Sequence, residues 1–335
     1  MAKTVGVDLG TANTLICMKG AGIVVRSPSV VAVNRDSREI LTQGAEAKRM
    51  LGKTPTGILA YRPLKDGVIT DAEVTAGMLR NYFQQIGAIS TFSRPLVIAC
   101  IPYGVTEVEK RAVEDAVFRA GARKVSLIDE PLAAALGTGL PVGSPKGIMI
   151  VDIGGGTTEV AVISLGGIVA SNSLRVAGDE LDESVVTYLR QSRGVLIGST
   201  TAEELKIRVG SAHPEIDRGA LRVSGMNLQR RMGVIIEVGT AEVREAISDD
   251  LDQIVAVIKQ TLEQTPPELS SDLYDFGIVL TGGGALLPGM GRLITERTGM
   301  RVRIARTPME SVCNGILRVI NSGGDLEELL HYRER

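Results

Sequence analysis

Two acidic residues, Asp8 and Asp152, stand 144 positions apart in near-identical surroundings, VDLGTANT and VDIGGGTTE. Each follows a Val, precedes Leu or Ile and then Gly, and closes an apolar run of strand type. Beyond them come Gly10, Thr11, Ala12, Asn13 and Thr14 in one copy and Gly154, Gly155, Gly156, Thr157 and Thr158 in the other. Gly permits positive φ and close approach of backbone N–H groups to an anion, and hydroxyl and amide side chains add donors, so such loops can bind phosphate. One loop alone reads equally as a hairpin turn, and one Asp alone as a carboxylate bonded to turn amides. Two copies with Asp at the same offset point to phosphate. Neither loop contains Lys or matches G-x-x-x-x-G-K-S/T, so the compensating cation would be a metal, with Asp8 and Asp152 holding Mg2+ largely through water.

The elements that must carry these loops follow from local pattern. Thr4 to Leu9 and Thr14 to Met18 read as two strands around the first loop, and Gly147 to Ile153 and Glu159 to Ser164 as two around the second. Between the copies, PLVIACI (Pro95 to Ile101) reads as a buried strand. Thr106 with Glu109 is a capping box opening a helix whose apolar stripe is Val105, Val108, Ala112, Val113, Ala116, Val117 and Ala120, with Gly121 at its end. Lys124 to Ile128 is a further strand, after which Glu130 stands before Pro131 and a short helix to Gly137. The second half repeats the scheme, with a helix over Asp250 to Glu263, a strand over Phe276 to Leu280, and the Gly-rich TGGGALLPG. Val31 to Thr70 and Leu181 to Gly239 have mixed patterning and read as insertions.

Composition narrows the function. A chain of 335 residues, 44% apolar and 23% charged, can bury more than one core. A net charge of -2 lacks the basic excess of a nucleic-acid binder, so no nucleic-acid partner is expected. Three scattered cysteines, Cys17, Cys100 and Cys313, suggest neither a disulfide framework nor a thiolate metal site, and two histidines leave little for a His triad. No run approaches the ~18 apolar residues of a spanning helix, and Met1-Ala2-Lys3-Thr4 leads straight into VGVDLG without a signal-peptide region. A cytoplasmic protein is expected.

The set VDLGTANT, IDEPLAAALGTG, IVDIGGGTTE and VLTGGGALLPG resembles the two phosphate loops, connecting segment and adenosine loop of the actin, heat-shock chaperone and sugar kinase ATPases. Within that superfamily, DLGTANT, GIVVRSPSVVA, RPLKDGVITD and TAEELKIRVGSA resemble the bacterial actin MreB/Mbl family, over nearly the whole chain. The resemblance implies an α/β actin-like ATPase fold of two duplicated RNase H-like lobes, each with a smaller inserted subdomain and a nucleotide cleft between them. Lobe I would take 1–145 and 317–335, with its subdomain at about 33–75; lobe II would take 146–316, with its subdomain at about 181–242. Asn13 and Thr14 would donate to the nucleotide. Glu203, Glu204 and Lys206 would line the adenosine side, and Gly282, Gly283, Gly284, Ala285 and Leu286 would close over the adenine and α-phosphate. Glu130 would orient the attacking water and Thr157 help to place it, against the alternative of a carboxylate that only complements a helix dipole. Cofactors would be ATP or ADP with Mg2+.

The resemblance further implies weak ATP hydrolysis coupled to assembly into homopolymer filaments, peripheral at the inner face of the cell membrane, which direct cell-wall synthesis and maintain rod shape. Partners would be elongation proteins of the RodZ and MreC type. Phe92, on the loop before Pro95, would meet the membrane or fold back onto the core. Two departures are visible: Gly198-Ser199-Thr200 stands where relatives commonly carry a charge, and TPMESVCNGILRVI lacks the expected small-residue form. The competing function is a small-metabolite kinase of the same superfamily, for which no acceptor-binding segment is evident.

Overall fold

The computed structural model describes residues 3–90 and 93–332. Contacts divide the chain into two compact units: Met1–Lys146, Ile163–Val169 and Met309–Arg335 form unit 1, and Gly147–Val162 with Ala170–Pro308 form unit 2. The chain re-enters unit 1 at Met309, earlier than the 317 expected from the resemblance.

Unit 1 begins with β1 (Thr4–Leu9), β2 (Asn13–Met18) and β3 (Gly22–Pro28), paired antiparallel in sequence order. A small sheet of β4 (Val31–Asn34), β5 (Ile40–Gln43) and β6 (Ile58–Tyr61), with α1 (Ala45–Met50), occupies the first insertion. A ribbon of β7 (Leu64–Lys65) and β8 (Val68–Ile69) follows, then α2 (Ala72–Gln85). Next come β9 (Leu96–Ile101), α3 (Glu107–Arg119), β10 (Lys124–Asp129) and α4 (Glu130–Thr138), with β9 parallel to both β1 and β10. Parallel strands need covering on both faces, which is why β1 and β9 read as continuous apolar runs. Val5, Val7 and Leu9 share a core with Met78 and Phe83 of α2 and Val113 and Val117 of α3.

Helix α3 shows how much is local. Thr106 Oγ1 accepts from Glu109 N (3.2 Å) while Glu109 Oε2 accepts from Thr106 N (2.8 Å), the capping box expected from the sequence, worth about 1 kcal/mol. The apolar stripe needs one correction: Val108 is 77% exposed and lies off the buried face.

Unit 2 repeats the plan. β11 (Ile148–Ile153), β12 (Thr158–Ser164) and β13 (Gly167–Leu174) are neighbours in one sheet. The second insertion supplies α5 (Gly178–Arg193), β14 (Val195–Leu196), α6 (Ser199–Val209), β15 (Ala220–Asn227) and β16 (Met232–Gly239). Then follow α7 (Thr240–Ala246), α8 (Ser248–Glu263), α9 (Pro267–Phe276), β17 (Ile278–Thr281), a 3-10 turn at Gly283–Leu286, α10 (Met290–Thr298) and β18 (Val302–Ile304). Phe276 ends α9 rather than beginning the strand, because Gly277, at φ +76, breaks the helix between them. The sheet order β13-β12-β11-β17-β18 matches β3-β2-β1-β9-β10 of unit 1, strand for strand.

The chain closes unit 1 with α11 (Ser311–Asn321) and β19 (His331–Tyr332), the latter antiparallel to β10. Helices α4 and α11 meet backbone to backbone: a Cβ at Gly315 would lie 1.7 Å from Ala133 O, and one at Gly137 only 1.8 Å from Ser311 O. Gly6 of β1 sits under α11, where a Cβ would fall 2.4 Å from Ile316 Cγ2. The segment that seemed to lack small residues thus carries one at its tightest contact. Among the described residues, no helix is long and apolar enough to cross a membrane.

Candidate phosphate-binding loops

In unit 1, Asp8 is the penultimate residue of β1 and is buried. Its Oδ1 accepts from Cys100 Sγ at 3.5 Å, and among the described residues it has no cationic partner. Burial pushes its carboxyl from 3.8 up to about 7, which the Cys100 hydrogen bond only partly opposes. The Cys100 thiol is itself pushed well up, by burial first and then by the charges of Asp8 and Glu130. Asp8, Cys100 and Glu130 therefore gather at the carboxyl ends of the parallel strands β1, β9 and β10, where α/β sheets place ligands. Glu130 is half-buried and is the first residue of α4, directly after the last residue of β10. Asp129, before it, accepts from His331 Nε2 at 3.0 Å.

Loop 1 is shaped by one residue that sequence reasoning missed. Ser29 Oγ donates to Gly10 O (2.6 Å), Ser29 N donates to Ala12 O (3.0 Å), and the Thr14 and Ser29 hydroxyls are bonded at 2.8 Å. Thr14 is fully buried, so its hydroxyl faces the protein instead of a ligand. Thr11 Oγ1 accepts from Gly67 N at 2.9 Å and is likewise engaged. Ala12 and Asn13 are half-buried. The only sequence signal for Ser29 was its place in SPSVV, a motif with no chemistry of its own.

Loop 2 is built alike. Gly154 N donates to Thr157 O at 2.8 Å, and Thr158, fully buried, donates its hydroxyl to Val176 O at 2.7 Å. A Cβ at Gly154 would lie 3.1 Å from Thr157 O; at Gly10 it would lie 2.8 Å from Asn13 O. Asn13 and Thr157 are thus equivalent, as are Thr14 and Thr158. Gly155 and Thr157 are half-buried and Gly156 is buried.

Asp152, opposite Thr281 in the β11–β17 register, is buried. Its Oδ1 occupies the space a Cβ of Gly282 would need, at 2.3 Å, and Gly282 has φ +81. Gly284 presses on Ile153, Ala285 is buried, and Gly283 and Leu286 are exposed. The turn 282–286 is therefore brought against the end of β11. Lys206 is half-buried; its Nζ lies 2.8 Å from Asp182 Oδ1 and donates to Gly178 O at 2.5 Å. Glu203 shares that face and its charge helps raise Asp182, whose carboxyl burial pushes up to about 6. Glu204 points away, paired with Arg208 (3.1 Å) in solvent, so the structure separates it from its expected companions.

No group of three or more metal-ligating side chains occurs among the described residues. What fits a cation is the Asp8 carboxylate, buried beside donors and lacking a positive partner, a donor type suited to hydrated Mg2+ rather than to a fully protein-ligated metal. The loop around Phe92 lies outside the described residues.

Strand order, a repeated Asp–Gly–Thr loop in each unit and helices on the sheet faces define an actin-like fold. The structure of MreB5 of Spiroplasma citri bound to AMPPNP aligns with TM-score 0.92 at 32% identity, over 98% of this chain and 99% of that one. The MamK double helical filament, at 21% identity and TM-score 0.79, shares the fold over 95% of this chain and 98% of that one. A family model described as MreB/Mbl protein matches residues 2–328. The cell shape-determining protein MreB of Escherichia coli is 47% identical over 335 aligned residues, 97% of this chain and 96% of the relative. Cell shape-determining protein Mbl of Bacillus subtilis is 44% identical over 314 residues, 94% of each. The chain belongs to the MreB/Mbl family.

Proposed function

We propose that this chain is a bacterial actin that binds ATP, hydrolyses it slowly and polymerises into filaments which direct cell-wall synthesis and maintain rod shape. The observation that carries the reading is the repeated loop: two loops on one plan, in a chain near full-length similar to cell shape-determining relatives. Thr11, Asn13, Gly155 and Gly156 would donate backbone amides to phosphate oxygens, with the loops pre-shaped by Ser29, Thr14 and Thr158. Glu203, on α6, and the turn 282–286 belong to the adenosine side. Mg2+ at Asp8 and Asp152 would supply the positive charge that the triphosphate requires and neither loop contains.

Glu130 orients the attacking water, with Thr157 placing it. Phosphoryl transfer asks chiefly for an in-line water and stabilised charge, so a weakly basic carboxylate suffices for slow turnover. Membrane attachment at the inner face, through the loop at Phe92, and partners of the RodZ and MreC type belong to the same proposal. The metabolite-kinase reading is not favoured by membership of this family.

Sedimentation with ATP, ADP or no nucleotide, with and without anionic liposomes, tests it. ATP should send the protein to the pellet, more so with liposomes. A protein that stays monomeric throughout while transferring phosphate to a small metabolite is not this one.

A further inference from the structure

The two loops share a need that their units meet differently. A peptide group is planar and trans, so holding a carbonyl on one side aims the next residue's N–H to the other. In loop 1, Ser29 holds the carbonyls of Gly10 and Ala12, which aims the amides of Thr11 and Asn13. In loop 2, the carbonyls of Gly154 and Gly155 are held by the amides of Gly178 (3.2 Å) and Asp179 (2.7 Å), the first two residues of α5. Those are amides a helix leaves unpaired at its start, and here the loop uses them. They aim the amides of Gly155 and Gly156.

A helix end is a good clamp only if the helix is fixed. Lys206, from α6, does this from the side: its ammonium donates to Gly178 O at 2.5 Å and pairs with Asp182, one turn further along α5, at 2.8 Å. A Cβ at Gly178 would lie 3.2 Å from Gly154 O, 3.5 Å from Lys206 Nζ and 3.6 Å from Gly155 Cα, so loop, helix start and ammonium converge on one point. The pair is largely withdrawn from water, with side chains 14% and 11% exposed. The ammonium is thereby committed to α5 by one hydrogen bond and one ion pair.

We infer that Lys206 is a positioning residue for loop 2, acting through the first turn of α5 to set the direction of the Gly155 and Gly156 amides, rather than a group that reads the ribose or base. This rests on the proposal that loop 2 takes phosphates. Its consequence is that α6, on the adenosine side, and the phosphate loop are mechanically linked by one ammonium.

Steady-state hydrolysis of ATP and of 2′-deoxy-ATP by the full chain tests this, using Lys206→Met, Lys206→Arg and the double variant Lys206→Met with Asp182→Asn. In the double variant no buried carboxylate is left without its cation. Misaimed donors should lower kcat about ten- to a hundredfold. KM for ATP should stay within about threefold, and the preference for ATP over 2′-deoxy-ATP should be unchanged, because the ribose is not touched. Lys206→Arg should recover most of the rate. The double variant, if folded, should show the same kcat loss as Lys206→Met. A raised KM with unchanged kcat, or loss of the ribose preference, makes Lys206 a nucleoside contact and overturns the inference, as does wild-type kcat in the double variant. A wild-type chain that does not hydrolyse ATP removes the function reading, and this inference with it.

Discussion

Replacing Asp8 by Asn removes a charge that the nucleotide-free fold tolerates at a cost. Burial raises the Asp8 carboxyl from 3.8 to about 7. An acid whose pKa rises on folding binds its proton more tightly in the native state, so its contribution is fully present below 3.8 and is lost as pH climbs to about 7. The shift of about three units corresponds to about 4 kcal/mol at pH 8, of which only about 1.6 kcal/mol has been lost by pH 5. Asn carries no charge at either pH, and whatever its extra N–H costs beside Cys100 is the same at both. The stability of Asp8→Asn relative to wild type should therefore rise by roughly 2–3 kcal/mol from pH 5 to pH 8. Urea unfolding at both pH values, without nucleotide, measures that difference directly. Parallel stabilities at the two pH values would refute the argument. Adding Mg2+ and ATP supplies a second test: ligand should stabilise wild type and do little for the variant, and equal stabilisation of both would mean Asp8 holds no metal.

Three further outcomes are expected. Ser29→Ala leaves Gly10 O and the Thr14 hydroxyl without their buried partner, which should cost about 2–3 kcal/mol in chemical denaturation and weaken ATP binding through loop 1. Gly315→Ala forces a methyl into the 1.7 Å space beside Ala133 O, so α4 and α11 must separate; a loss of about 3 kcal/mol or more is expected, seen as a lowered Tm. Glu130→Gln should keep ATP affinity, by calorimetry, while phosphate release slows about 100-fold, and an unchanged rate would take Glu130 out of the reaction.

What could be read beforehand was whatever lies close in sequence. The places of both loops after their strands, the capping box at Thr106 and the Pro131 start of α4 are marked by residues within a few positions of one another, and they appear where the pattern puts them. Ser29 was not legible because its partners, Gly10 and Thr14, lie across a sheet, and a serine followed by apolar residues has no signature of its own. Lys206 has Glu203 three positions away on its own helix, yet the fold gives it Asp182 on another, since α5 and α6 share a buried face. Periodicity assigned Val108 to the core of α3, but the stripe that faces the sheet is narrower than the apolar composition suggests. The segment around Gly315 read as a departure for want of small residues. Its meaning depends on a helix nearly two hundred residues earlier, and no local rule reaches that far.

The three glycines under and beside α11 also bear on the order in which the chain can fold. The face of β1 around Gly6 meets Cys17 of β2 but takes the rest of its cover from Ile316 and Ile320 of α11, residues made after all of unit 2 has been synthesised. Unit 2, apart from the turn at Ile163–Val169, is continuous from Gly147 to Pro308 and can close its core on its own residues. Unit 1 must hold its first strands, with that face incompletely covered, until α11 arrives, and such long loop closure is slow. On the ribosome, then, the second half should resist protease before the first half does. Chains stalled at successive lengths and briefly proteolysed would reveal the sequence of events, and early protection of the N-terminal strands would contradict it.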